Sequence, residues 1–319
     1  ISLTGSDTYT LTAGTNNITD VEVVSIDDDA AGFTVTLDDG MAATSDLGTD
    51  NSGNVRVDAG QAMANGVVID ASDFGATQEL LVNDEDFNGA DSITGGAGVD
   101  SIDGDAGNDT ITGGAGLDSL TGDAGTDTFV VAAASEIVDA DGADGDDRTE
   151  TISGGAGEDT ISLTGSDTYT LTAGTNNITD VEVVSIDDDA AGFTVTLDDG
   201  MAATSDLGTD NSGNVRVDAG QAMANGVVID ASDFGATQEL LVNDEDFNGA
   251  DSITGGAGVD SIDGDAGNDT ITGGAGLDSL TGDAGTDTFV VAAASEIVDA
   301  DGADGDDRTE TISGGAGED

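Results

Sequence analysis

The sequence predicts an all-β fold, a right-handed parallel β-solenoid, from three observations. Residues 1–159 recur letter for letter as residues 161–319, so the chain is one 160-residue unit read twice. From residue 86 to residue 130, Gly, Asp and one large apolar residue return every nine positions. Elsewhere, short alternating apolar segments are divided by Gly, Asp, Asn and Ser, with no apolar period of helical length. Such a pattern marks a stack of coils, each packed mainly on its neighbours.

Within the unit, residues 1–85 lack the nine-residue period. Segments of β type are expected at residues 9–11, 21–26, 33–37, 55–57, 67–69 and 80–82. Beyond residue 55 their centres fall at positions 56, 68 and 81 and then recur every nine positions, as coils of a solenoid tightening would do. An immunoglobulin-like β-sandwich is the alternative for residues 1–85, since its short strands also turn at close intervals. The shortness of these strands and the absence of Trp favour the solenoid. At about 18 residues per coil and about 4.8 Å between strands, a unit would advance roughly 40 Å.

Cut in nines, residues 86–130 read DFNGADSIT, GGAGVDSID, GDAGNDTIT, GGAGLDSLT and GDAGTDTFV. Asp91, Asp100, Asp109, Asp118 and Asp127 hold the sixth place, and Ile93, Ile102, Ile111, Leu120 and Phe129 the eighth. The second unit repeats the acids as Asp251, Asp260, Asp269, Asp278 and Asp287. A frame at 154–162, GGAGEDTIS, joins the units and adds Asp159. Before it, GDDRTETIS keeps phase through Ile152 but sets Arg148 and Glu150 where Gly and Asp belong, and so reads as structural rather than ion-binding. Gly at the first, second and fourth places opens turn conformations closed to other residues. The last three places form a short strand with one inward side chain. Two frames make a coil, so each Asp meets the equivalent Asp of the next frame but one.

Charge then narrows the chemistry. The chain carries 68 acidic residues against 4 Lys and Arg, a net charge of −64, with no His, Cys, Trp or Pro. Disulfides, thiolate or Ser-His catalysis and ordinary zinc, iron or copper sites are thereby excluded. Nucleic acid and anionic lipid lack a basic surface to hold them. The longest apolar run, residues 129–134, is six residues, far short of a membrane span. Carboxylates are so abundant that no acid/base pair stands out. Tyr9 and Tyr169 read as packing residues.

Large apolar residues make up about a fifth of each unit, near the composition at which high charge means disorder. Burial alone does not offset chain entropy and self-repulsion. A hard cation bound only by the folded chain would supply the difference. A halophilic surface or a disordered acidic tail also predicts high charge. Neither requires Asp to outnumber Glu 28 to 6 per unit, nor to recur behind Gly at a fixed interval.

The frames resemble the RTX nonapeptide, G-G-x-G-x-D-x-U-x with U a large apolar residue. That resemblance implies calcium-loaded β-roll segments at 86–160 and 246–319, with solenoid parts at 1–85 and 161–245. It implies several Ca2+ per unit, each shared by turn carbonyls and aspartates of neighbouring coils. The implied pairs are Asp91 with Asp109, Asp100 with Asp118, and Asp109 with Asp127, then Asp251 with Asp269, Asp260 with Asp278, and Asp269 with Asp287, Asp159 being a further ligand. The implied turn glycines are Gly96, Gly98, Gly107, Gly114, Gly116 and Gly125, and in the second unit Gly256, Gly258, Gly267, Gly274, Gly276 and Gly285. This chain departs from the pattern at Asp86 and Phe87, and at Asp105 and Asp123, which replace the second Gly and stack on one edge. Asp84, Asp86, Asp141, Asp144 and Asp146, beside Gly and near the roll, are candidates for further loops, and Asp7 a marginal one. ITDVEVVSI and VVIDASDFGATQELLV are similar, more loosely, to linking coils of bacterial surface-layer proteins with RTX segments.

Identical units imply length-building material: a structural, extracellular or cell-surface segment of a filament, sheath or surface layer, not an enzyme. Its expected partners are neighbouring identical units, with lateral self-association into a filament or layer, no nucleic acid and no membrane insertion. The resemblance implies type I secretion and folding in external calcium. Adhesin extender or binding repeats, and the calcium-triggered folding module of a secreted enzyme, are the alternatives. Ice binding would need a regular Thr and Asn file, which Asn108 alone does not make. Opening mid-frame at Ile1, the sequence reads as an excerpt from a longer array.

Overall fold

In the computed structural model, the residues described are 1–4, 8–11, 21–27, 32–38, 54–83, 86–137, 150–165, 168–171, 178–188, 192–197, 214–243, 246–291 and 311–317. They form two compact units, Ile1–Thr160 and Ile161–Asp319. Unit 1 contains β1 (Ser2–Leu3), β2 (Thr8–Leu11), β3 (Val23–Ile26), β4 (Phe33–Leu37), β5 (Asn54–Ala59), β6 (Val67–Asp70) and β7 (Glu79–Val82). These are followed by β8 (Ser92–Thr94), β9 (Ser101–Asp103), β10 (Thr110–Thr112), β11 (Ser119–Ala124), β12 (Thr128–Val131), a 3₁₀ turn at Ala134–Glu136 and β13 (Thr151–Ala156).

Odd-numbered strands pair in the order β1-β3-β5-β7-β9-β11-β13 and even-numbered strands in the order β2-β4-β6-β8-β10-β12. The chain therefore alternates between two sheets, as a coil must. Every strand pairing among the described residues of the unit is parallel. An immunoglobulin-like sandwich is antiparallel, so that alternative for residues 1–85 is overturned. Unit 2 repeats the arrangement, with Val183–Ile186, Asn214–Ala219, Glu239–Val242, Ser261–Asp263 and Ser279–Thr281 on one sheet and Thr168–Leu171, Thr194–Leu197, Val228–Asp230, Ser252–Thr254 and Thr270–Thr272 on the other.

Coil length is uneven, which corrects the expectation of two-frame coils throughout. Ser2 lies opposite Ser25, Val24 opposite Val57, Val35 opposite Ile69 and Ile69 opposite Ile93, so each of these coils is longer than two frames. Among the described residues of unit 1 the step falls to two frames from Ile93 to Ile111 to Phe129 and from Ile102 to Leu120, and Leu120 to Ile152 is again longer. Across the longer coils the described strands keep their register. The seven strands of the odd-numbered sheet give six spacings of about 4.8 Å, so the unit advances about 29 Å, less than expected.

Between the sheets runs a narrow core. Ile93, Ile102, Ile111, Leu120 and Phe129 are buried, each the inward residue of a short strand. Phe33, Phe74 and Phe87 fill the wider coils. Tyr169 is buried and stacks on Phe193 at 5.4 Å, while the Tyr9 hydroxyl donates to the Thr4 carbonyl, so both tyrosines pack as expected.

The two outer faces differ. On the even-numbered sheet, Thr8, Thr34, Val68, Ser92, Thr110 and Thr128 form one outward file. A second file runs through Thr10, Thr36, Asp70, Thr94 and Thr112. The odd-numbered sheet carries Arg56, Asp58 and Asp103 outward, with Arg56 and Asp58 in contact at 2.6 Å.

Candidate metal centre

Each frame brings its Asp to the end of a turn, one residue before a strand, where the carboxylate faces the preceding coil. Asp91 donates its backbone N–H to Oδ1 of Asp109 at 2.7 Å, Asp100 to Asp118 at 2.7 Å and Asp109 to Asp127 at 2.8 Å. In unit 2 the same bonds join Asp251 to Asp269 at 2.8 Å, Asp260 to Asp278 at 2.9 Å and Asp269 to Asp287 at 3.0 Å. All six pairs expected from the spacing are thus neighbours. Both ladders extend into the wider coils, where Val67 donates to Asp91 and Leu80 to Asp100. At the other end Asp127 donates to Asp159 at 2.7 Å.

One oxygen of each acid is thereby used. Among Asp91, Asp109, Asp118, Asp127, Asp251 and Asp269, the second oxygen, Oδ2, is buried with no hydrogen-bond donor. Asp100 and Asp260 differ, since their Oδ2 accepts the N–H of Gly96 at 2.7 Å and of Gly256 at 2.9 Å. An unsatisfied buried carboxylate oxygen is costly, and here the cost recurs from coil to coil.

The glycines divide the work by place. At the first place the need is room: a Cβ on Gly104 would lie 2.6 Å from Oδ2 of Asp109, and one on Gly95 would meet both Oδ2 of Asp100 and the Gly113 carbonyl. Gly122 likewise faces Oδ2 of Asp127 and the Gly154 carbonyl. At the second place Gly114 takes a left-handed backbone, with φ +94°, and Asp105 and Asp123 adopt it too, at +61° and +65°. The Asp103 carboxylate supports the first of these by accepting the Asp105 N–H at 3.1 Å. At the fourth place the need is close stacking: a Cβ on Gly98, Gly107, Gly116 or Gly125 would strike the backbone carbonyl of Gln78, Gly89, Gly98 or Gly107 in the coil before. Gly258, Gly267, Gly276 and Gly285 repeat this in unit 2. Gly274 is left-handed like Gly114, whereas at Gly96 and Gly256 the need is room, since a Cβ there would meet Phe74 or Phe234. The sequence pattern assigned all three places one conformational role, which concealed the first-place glycines' need for space and left them out of the expected site.

Electrostatics agree with the geometry. Burial pushes Asp91, Asp109 and Asp118 up to about 7, with neighbouring acids adding to the rise. Asp251 and Asp260 rise to about 6 and Asp269 to about 7 for the same first reason. Asp100 and Asp127 are raised as well, again chiefly by burial. Without a cation these columns favour the protonated form, so a positive ion is what their charged form lacks.

Glu150, read from the sequence as structural, belongs to the same ladder. It is buried, and its Oε2 accepts the Asp118 N–H at 2.7 Å, which continues the ladder where Asp was expected. Burial, then Asp118, Glu136 and Asp100, push it up to about 9. Its signal was the unbroken phase through Ile152. Among the described residues no three acidic side chains converge as a ready cluster, so the donors on offer are carboxylates paired across coils together with turn carbonyls. Such an all-oxygen set fits a hard cation such as Ca2+. Asp86 is described, whereas Asp7, Asp84, Asp141, Asp144, Asp146 and Arg148 lie outside the described residues.

A family model, the RTX calcium-binding nonapeptide repeat, matches residues 88–111, 104–133, 144–178, 248–271 and 264–293. The chain carries RTX calcium-binding nonapeptide repeats over these residues. RTX nonapeptides bind Ca2+, and the regularly spaced buried aspartates stand in its turns. The match at 144–178 includes Glu150, the acid that departs from the motif. No curated protein and no solved structure matches the chain. No helix among the described residues is long and apolar enough to cross a membrane.

Proposed function

We propose that each 160-residue unit is a calcium-folded building segment of an extracellular or cell-surface filament, sheath or layer, exported by the type I route that is typical of RTX proteins. In this reading residues 1–85 and 161–245 are solenoid linkers, and residues 86–160 and 246–319 are rolls. Asp91, Asp100, Asp109, Asp118, Asp127 and Asp159, with Asp251, Asp260, Asp269, Asp278 and Asp287 in unit 2, hold the ions, and Glu150 takes an equivalent place. Bound Ca2+ supplies the positive charge that the buried carboxylates lack. The chain's own part is to present Oδ2 and turn carbonyls from coils fixed by Oδ1-to-amide bonds.

The observation that carries this reading is the recurrence of buried, donorless Oδ2 atoms along the coils of the roll. Circular dichroism of the chain during a calcium titration tests it, beside magnesium and sodium chloride. Full β structure is expected with calcium at millimolar levels or below, and far less with the others. Equal recovery in sodium chloride alone would show that the acids answer to general screening.

A further inference from the structure

Resting on that reading, we propose that units associate laterally with second copies of this chain through the outer face of the even-numbered sheet. The opposed acidic edges do not make this contact. The chain has a charge of −64, so most approaches between copies are repulsive. Among the described residues of the two outward files, Asp70 is the one charged side chain; the odd-numbered sheet also turns Ser101, Ser119 and Thr151 outward, but sets Arg56, Asp58, Glu79 and Asp103 among such residues. Of the two sheet faces, this one brings copies together at the lower electrostatic cost.

The chemistry of the face is self-complementary. A Thr hydroxyl both donates and accepts, so a lattice of Thr and Ser is its own partner, whereas a row of carboxylates is not. Contact between like copies through one patch requires that property. Thr8, Thr34, Ser92, Thr110 and Thr128 lie on strands spaced by about 4.8 Å, and their companions Thr10, Thr36, Thr94 and Thr112 lie about 6.6 Å further along each strand. Both partners share these spacings, so hydroxyls align at each step of register. Val68, 39% exposed within the first file, adds apolar area. Unit 2 presents the same face, with Thr168, Thr194, Val228, Ser252, Thr270 and Thr288.

Sedimentation velocity of the full chain in calcium tests the proposal, with circular dichroism reporting folding separately. Concentration-dependent association is expected. It should weaken at least about tenfold when Thr34→Asp, Thr110→Asp, Thr194→Asp and Thr270→Asp set like charges across the contact. Asp105→Asn with Asp123→Asn should leave it no weaker. Because the chain has no Cys, Thr110→Cys supplies a gentler probe, and disulfide-linked dimers are expected from it and not from Asp105→Cys. A chain that folds in calcium yet stays monomeric, or associates equally with the four aspartates in place, overturns this face while leaving the calcium reading intact. Failure to fold in calcium would instead overturn the reading beneath it.

Discussion

At the scale of the residue, a sixth-place acid such as Asp118 has two separable tasks. Its Oδ1 accepts an amide of the preceding coil, and its Oδ2 lies buried without a donor. Asp118→Asn keeps an oxygen for the Asp100 amide and removes the charge. We expect it to fold in calcium with a midpoint raised by about tenfold, read by circular dichroism. Gly107→Ala should destabilise the roll by about 2 kcal/mol or more in a chemical melt, because its Cβ would strike the Gly89 carbonyl. The acids also set a pH response. Asp91, Asp109 and Asp118 sit at about 7 when folded and near 3.8 in an unfolded chain, so the folded state holds extra protons between those values. Stability from these groups is therefore fully present below about pH 4 and is lost as pH rises through 7. In chelator, acidification from pH 8 to 4.5 should compact the chain, measured as a fall in radius of gyration. A radius unchanged over that range would contradict the burial of these carboxylates.

At the scale of the element, the short strands were legible because one large apolar residue in nine has a single inward place to go. Each segment expected between residues 9 and 82 became a strand, shifted at most by two residues at an end. Coil length was not legible, since nothing in spacing alone says which strand a given segment lies beside. The stretch from Val35 to Ile69 makes a single step of its sheet although it contains strand β5, because β5 belongs to the other sheet. Glu150 was hidden for a related reason. Its side chain is one methylene longer than that of Asp, which reads as a break in the motif, yet it reaches the same amide. Phe129 is the large core side chain of β12, so Phe129→Ala should cost about 3–5 kcal/mol, with the loss centred on the coils it touches, detectable as local hydrogen exchange.

At the scale of the whole molecule, composition already indicated that burial could not hold the chain alone, and the donorless Oδ2 atoms show where the deficit lies. Removing calcium from the folded protein should collapse β structure cooperatively within each unit, observable as loss of dichroism on adding chelator and its return when calcium is restored. The outward Thr files were in plain sight as TYT, TVT, SIT and TIT, but only the parallel register sets them in line. Asn108 lies between β9 and β10, outside both files. In the ladder the acid always reaches back and the amide is always offered forward, from Asp91 to Asp109 to Asp127 to Asp159. The stack therefore has an arrow. Any coil added in the reversed sense would bring amide against amide, so a fibre grown on this pattern has chemically distinct ends and lengthens in one orientation.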